Sequence, residues 1–352
     1  MNTRALEFIV PGDINAATGG YGYDRRIIAG LRALGWKVSV HGLSDSFPQP
    51  TAAALTDANE VLAQLPEQAL VLVDGLAGGA MPQLLRVHAT RLRLVALVHH
   101  PLAAESGLAA HRALELRNSE QLALKAVRHV IVTSEATKLV LKSYGVEPDS
   151  VSVVEPGTDA ALLAHGTQDG SLKMLCVAAL IPRKGHDVLF EALALLPQGW
   201  SLTCVGSLEH SPATVRQLRA QLQRLGLEQQ VTFAGEVDAA TLDRHYREAD
   251  LFVLATRFEG YGMAVAEALA HGLPVIGTNV DAIAERVGRD AGLLVPPDDV
   301  EALGAALGRI LNDDALLSAL AEGAARVRNI LPTWTESCSL MSRVLALQHA
   351  PD

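Results

Sequence analysis

At 352 residues the chain is longer than one hydrophobic core usually serves, which predicts two domains of about 150 to 180 residues. Apolar residues make up 49% and aromatics only 4%, so the cores must be built from Leu, Val and Ala, as in parallel sheets buried on both faces; the implied class is α/β. The formal charge is −10, with 14 basic and 16 acidic side chains in residues 1–160 and 15 and 23 in the rest, which excludes the basic field that a general nucleic-acid binder needs.

The first strand is expected at Leu6 to Val10, a run too brief for a signal sequence or a membrane span, so the chain reads as cytoplasmic. A Gly-bearing loop through Gly19 and Gly20 follows, then a helix beginning near Tyr23 with Ile27, Ile28, Leu31 and Leu34 at helical spacing, closed by Gly35. Further strands are predicted at Lys37 to Val40, Leu70 to Val73, Arg93 to Val98, Val130 to Val132 and Val151 to Val154. The polar stretch Ala164 to Ser171 is the best linker candidate. The pattern then restarts, with strands at Leu172 to Val177, Ser201 to Val205, Val231 to Phe233, Leu251 to Leu254 and Val275 to Ile276, and helices that include Asp187 to Leu196 and Pro212 to Leu225. Glu301 to Ile330 reads as helical, and after Pro332 another helix is expected over Thr333 to Gln348. Two successive βαβ series predict two Rossmann-like domains, 1–165 and 166–332. Cys176, Cys204 and Cys338 are odd in number and lack C-x-x-C spacing, so buried free thiols are expected.

Three stretches carry chemistry. Arg257-Phe258-Glu259-Gly260-Tyr261-Gly262 leads into the helix former Ala264 to Ala270, which Gly272 ends and Pro274 prevents from continuing. The start of that helix offers unpaired N–H groups and partial positive charge, and Gly260 and Gly262 let a phosphate approach the backbone. Glu259 and Glu267, with seven residues between them, can accept hydrogen bonds from sugar hydroxyls on either side of a diphosphate. Arg183 and Lys184 place two cations after a strand, where they can neutralise charge developing on a leaving diphosphate. His99 and His100 place paired imidazoles after the buried strand Arg93 to Val98. No two aspartates are separated by one residue, so the Asp-x-Asp metal motif is absent and no metal or cofactor is expected.

These stretches resemble the retaining glycosyltransferases of family four, which have the GT-B fold: two Rossmann-like domains facing across a cleft, with a C-terminal helix (here about 333–352) returning to the first. The resemblance is strong over Leu172 to Thr278 and loose over residues 1–160. It implies that Glu259 contacts hydroxyls of the transferred sugar, that Glu267 and the Gly260-Tyr261-Gly262 turn hold the nucleotide, and that Arg183 and Lys184 hold the donor diphosphate. His99 matches a His near the reacting end of the sugar, with His100 as its support or on the acceptor side. Gly19 and Gly20 match a glycine loop that approaches donor phosphate and acceptor. Ser134 and Gly157-Thr158-Asp159 match segments near the cleft or hinge, although Pro156 stands where Asn is more usual.

The implied partners are a nucleoside diphosphate sugar and a hydroxyl acceptor, whether carbohydrate, lipid-linked or small molecule. Arg86, Arg91 and Arg93 leave peripheral contact with a membrane open. A nucleotide-sugar epimerase on the same fold and a silent binding protein remain as alternatives. A Rossmann oxidoreductase would need Gly-x-Gly-x-x-Gly after the first strand, and Pro11-Gly12-Asp13-Ile14-Asn15-Ala16 does not supply it.

Overall fold

The computed structural model describes residues 4–16, 18–105, 107–167 and 170–349. The chain forms two compact units, one of residues 1–157 with 332–352 and the other of residues 158–331. Each is built on a six-stranded sheet in which every paired neighbour is parallel.

In the first unit the strands are β1 (Ala5–Pro11), β2 (Lys37–Leu43), β3 (Leu70–Asp74), β4 (Arg93–Val98), β5 (His129–Val132) and β6 (Val151–Val153), in the order β2-β1-β3-β4-β5-β6. β3 is buried at every position and β4 at all but the first, which is why both read as unbroken aliphatic runs. The helix after β1 runs over Gly19–Ala33 and not from Tyr23. Thr18 caps it by accepting the Tyr21 N–H, so Gly19 and Gly20 form its first turn and not a loop before it. The terminal helix Trp334–His349 packs on this first helix so closely that a Cβ on Gly30 would lie 2.1 Å from Cys338 Sγ. Trp36 Nε1 donates to Ser342 Oγ at 2.9 Å beside that contact. Gly157 is fixed in the same way, since a Cβ there would meet the backbone N of Trp334 at 2.2 Å.

In the second unit the strands are β7 (Leu172–Val177), β8 (Trp200–Val205), β9 (Val231–Gly235), β10 (Leu251–Leu254), β11 (Val275–Thr278) and β12 (Gly292–Val295), in the order β12-β11-β10-β7-β8-β9. β12 is absent from the sequence reading because it is four residues long, begins with Gly and is only half-buried at its two central leucines. Of the stretch Ala164 to Ser171, read as a linker, residues 168 and 169 lie outside the described residues, and residues 164–167 are fastened to this unit. Ala164 N–H donates to His271 O at 2.7 Å, and Thr167 N–H donates to Asp250 Oδ1 at 2.7 Å. Cys176, Cys204 and Cys338 are buried free thiols, as expected.

Among the described residues no helix is long and apolar enough to cross a membrane. Arg91 and Arg93 do not form a free basic face: Arg91 donates to Leu65 O at 2.8 Å and to Leu62 O, and Arg93 donates to Gln68 Oε1 at 3.2 Å and to His349 O.

Glu120, on the helix Ala110–Leu124, is a buried carboxyl with a stability consequence. It is 1% exposed, its Oε2 accepts the Leu102 N–H at 3.0 Å, and its Oε1 has no partner among the described residues. Burial raises its pKa from 4.5 to about 8, against the opposing pull of the Leu102 N–H. The folded state therefore binds this proton more tightly than the unfolded state does, and stability drains away as pH rises between those two values. Glu120→Gln keeps an acceptor for Leu102 without the charge, so it should stabilise the protein by on the order of a few kcal/mol above pH ~8 and change little near pH ~4. Urea midpoints at the two pH values check this; equal effects at both would show that the carboxyl is not held neutral.

Candidate functional site

In the second sheet the strand order reverses between β7 and β10, with β8 and β9 on one side and β11 and β12 on the other. At such a point the loops leaving the two central strands diverge to opposite faces and open a crevice at the carboxyl ends. Arg183 and Lys184 lie on the loop after β7, and Glu259 to Gly262 on the loop after β10. The pairing of β10 with β7 brings them together although 75 positions separate them in the chain.

Lys184 Nζ lies 2.5 Å from Glu259 Oε1, with side chains 17% and 8% exposed. Arg183 Nη1 donates to Phe258 O at 3.0 Å, and the Arg257 N–H donates to Arg183 O at 2.8 Å. Arg257 clamps the outside of the pair, donating to both carboxylate oxygens of Asp187 at 3.0 and 2.8 Å and to Asp298 at 2.7 Å. A planar bidentate contact to Asp187, braced by the single one to Asp298, fixes the direction of a loop far better than a lysine contact would. Gly185 is left-handed, with φ of 66°, and a Cβ there would lie 1.9 Å from Ala255 O.

The helix Met263–Ala270 begins at Gly262, whose φ is 86°, and no side chain caps it. Its first N–H groups are therefore not consumed by a capping side chain. Gly272 ends it in the left-handed region, with φ of 74°. Glu267 sits in the second turn, and its Oε2 accepts from the Tyr246 hydroxyl at 2.9 Å. Tyr261 is buried, and the Arg286 guanidinium lies 3.9 Å over its ring.

The first sheet also reverses, between β1 and β3, and three ionisable groups from three elements converge at its carboxyl edge. His99, directly after β4, has Nε2 3.1 Å from Asp24 Oδ1 and 3.5 Å from Asp74 Oδ2. Asp24 comes from the helix after β1 and Asp74 is the last residue of β3; both are fully buried. Gly20 lies beside this ring, and a Cβ there would sit 3.4 Å from His99 Cδ2. His100 turns elsewhere, with Nε2 3.6 Å from Glu105. Ser134 is fully buried and caps the helix Glu135–Lys142, accepting the Thr137 N–H at 3.0 Å.

Residues 171–313 match the family described as glycosyl transferases group 1, and residues 69–162 match the description Glycosyltransferase Family 4. The two matches cover about two thirds of the chain and include Arg183, Lys184, Glu259 and Glu267 of the second unit and Asp74 and His99 of the first. The chain belongs to the group 1, family-four glycosyltransferases.

Within this family it is similar to the D-inositol 3-phosphate glycosyltransferase of Jonesia denitrificans, at 30% identity over 59% of this chain and 54% of that protein. It is also similar to the mannosylfructose-phosphate synthase of Agrobacterium fabrum, at 28% identity over 62% of this chain and 52% of that protein. The matched region thus spans about half the length of these curated relatives. The fold is GT-B. The sucrose-phosphate synthase of Thermosynechococcus elongatus superposes with a TM-score of 0.83 at 24% identity, covering 98% of each chain. The Anabaena protein HepE, in complex with UDP and glucose, superposes with a TM-score of 0.78 at 18% identity, covering 98% of this chain and 100% of that one.

Three residues of this family-four chain escaped the sequence reading. Asp24 lies on the apolar face shared by Ile27, Ile28 and Leu31, and a carboxylate at that spacing is the signal that marks it. Asp74 ends a strand buried at all five positions. Tyr246 has no such signal, because a buried tyrosine on a helix is ordinary packing until its hydroxyl partner is known. Its ring stacks on His271 with centroids 4.7 Å apart, and His271 Nε2 in turn lies 3.2 Å from Asp243 Oδ1. Tyr246→Phe should leave the fold intact and weaken nucleotide binding by about 1 kcal/mol, roughly fivefold in Kd, by releasing one oxygen of Glu267. Calorimetry with a nucleoside diphosphate measures this, and an unchanged Kd would make Tyr246 structural only.

Proposed function

We propose that this chain transfers a sugar from a nucleoside diphosphate sugar to a hydroxyl acceptor, with retention at the anomeric carbon and without a divalent metal. The observation that carries the reading is the meeting of Lys184 with Glu259 at the reversal point of the second sheet, next to an uncapped helix start and a tethered Glu267. A donor diphosphate fits between the cations and the helix N–H groups. Its ribose is then held by Glu267 and its sugar by Glu259. The UDP and glucose in the HepE complex make a UDP-sugar the first donor to try.

Departure of the diphosphate develops negative charge, which Arg183, Lys184 and the helix start at Gly262 offset. That is the task a metal performs in Asp-x-Asp enzymes, so turnover should survive saturating chelator. Retention is carried by the family resemblance. It fits a front-face displacement in which a donor phosphate oxygen takes the acceptor proton, leaving positioning and electrostatics as the protein's contribution.

Melting curves with a panel of nucleoside diphosphate sugars test the donor class, since a ligand at about a hundred times its Kd stabilises by ~2.7 kcal/mol. Arg183→Ala and Lys184→Ala should each weaken nucleoside diphosphate binding by roughly 1.5 to 3 kcal/mol. Lys184→Ala should be the worse, because it also leaves Glu259 as an unpaired anion facing the phosphates. Wild-type diphosphate affinity in both variants would remove these residues from the donor site.

A further inference from the structure

The first-unit cluster has a charge problem that a cationic ring relieves. Asp24 and Asp74 are 0% and 1% exposed and stand on different elements, and both reach the same nitrogen of the same ring. Two buried carboxylates facing one another without a cation are prohibitively costly, since each loses its hydration and repels the other. Of the other charged groups, Arg25 favours the Asp24 anion less than His99 does. Arg25, the next residue along, donates its Nη1 to Ile14 O and Ala16 O. Tyr21 donates its hydroxyl to Pro11 O at 2.7 Å, and burial together with Asp74, Asp24 and Asp13 pushes its pKa up to about 12, so it stays neutral. The ring is therefore the counterion.

We propose that Asp24 and Asp74 are positioning residues that hold His99 as an imidazolium, Nε2–H directed at both carboxylates, so that the residue meets substrate as a cation and an Nδ1–H donor and not as a base. The surroundings hold the ring in this pose. Tyr23 packs edge-on against it with centroids 5.3 Å apart, Thr133 Oγ1 donates to the His99 carbonyl at 3.1 Å, and Gly20 leaves room on the Cδ2 side. Burial alone would depress the pKa of the ring, but the two aspartates outweigh it and carry it up to about 10. Two carboxylates and one imidazolium still leave one negative charge in excess, and Asp24 is where it is relieved as pH falls: its Oδ2 has no partner among the described residues, and burial raises its pKa to about 6 in spite of His99.

A permanent cation suits an oxygen that carries or develops negative charge, such as a donor phosphate or the oxygen of the acceptor. It is useless for removing the acceptor proton, which is then left to the donor phosphate. That catalytic consequence rests on the glycosyl-transfer reading, whereas the charge of the ring does not.

The test is an NMR pH titration of ligand-free, full-length protein with labelled histidine, His99 being assigned by its loss in His99→Gln. The His99 ring should stay protonated beyond pH ~8, while exposed histidines titrate near the ordinary ~6.5. Asp24→Asn should lower its midpoint by at least about one pH unit, and Asp74→Asn should lower it by less. Circular dichroism reports whether each variant folds; if Asp24→Asn does not, the wild-type midpoint and Asp74→Asn still decide. Zinc or manganese at equimolar concentration should leave the His99 signals in place.

A wild-type midpoint at or below about pH 7 would overturn the proposal, as would a midpoint that neither variant moves. A stoichiometric response of the ring to either metal would overturn it as well, in favour of a cation site, because the three donor atoms lie within 4.8 Å of one another. Once a donor is known, the basic limb of the kcat profile should be flat in wild type and should acquire a fall in Asp24→Asn. Absence of transfer with a cationic His99 would sink the function and leave the ring assignment standing.

Discussion

Glu259→Gln should cut turnover by roughly a hundredfold while leaving nucleoside diphosphate affinity unchanged or stronger. The carboxylate is paired with Lys184 at 2.5 Å, so removing its charge releases the lysine to the phosphates. The same change removes an anion positioned to follow the positive character that the transferred sugar acquires in the transition state. Glu267→Gln should do the reverse in kind, because the ribose does not change during reaction. Affinity for free diphosphate and for nucleotide sugar should fall together, with a smaller effect on turnover at saturation. Calorimetry paired with initial rates separates the two variants. If Glu259→Gln weakens diphosphate binding as much as Glu267→Gln does, the two carboxylates do not sit at opposite ends of one donor, and an epimerase or a binding protein on this fold regains ground.

Gly185→Ala should be the most damaging single methyl that can be added to the second unit. The backbone there is left-handed, and the new Cβ would fall 1.9 Å from Ala255 O, at the carboxyl end of β10. A buried carbonyl directly after a central strand has little room to retreat. The turn must move instead, taking Arg183 and Lys184 away from Phe258 and Glu259. Strain at the left-handed residue costs about 1 kcal/mol and overpacking about 1 to 3 more. Diphosphate binding should fall with stability, which neither Arg183→Ala nor a surface change would produce. Urea midpoints and calorimetry on the same preparation give both numbers. A variant with wild-type stability and affinity would mean that the turn is softer than its geometry indicates.

Where the sequence was legible, a local rule was at work. β4, β7 and β10 are legible to the residue because largely buried parallel strands read as short apolar runs, even with Arg93 opening one and Lys173 exposed in another. The helix after Gly262 was found because its left-handed Gly262 and Gly272 bracket a dense run of helix formers. What stayed hidden was tertiary. Nothing in the spacing of residues 183, 184 and 259 says that β10 lies beside β7, so two separate candidates emerged where the fold makes one ion pair. His99 was visible as a strand-end imidazole, but its charge depends on Asp24 and Asp74, each contributed by a different element. The start of the first helix was misplaced because Gly19 and Gly20 are poor helix formers, and the Thr18 cap with tertiary packing outweighed that propensity.

The docking of Trp334–His349 on the first helix has a bearing on how the protein is made. Cys338, Met341, Val344 and Leu345 complete a core that Ile27, Ile28, Leu31 and Trp36 share with one face of the strands β1 to β5. A chain emerging from the ribosome presents that apolar face early and receives its cover last, after the whole of residues 158–331 has been synthesised. The second unit, being continuous in sequence, can close as soon as it is out. The first unit spends that interval with an uncovered stripe that a chaperone can grip.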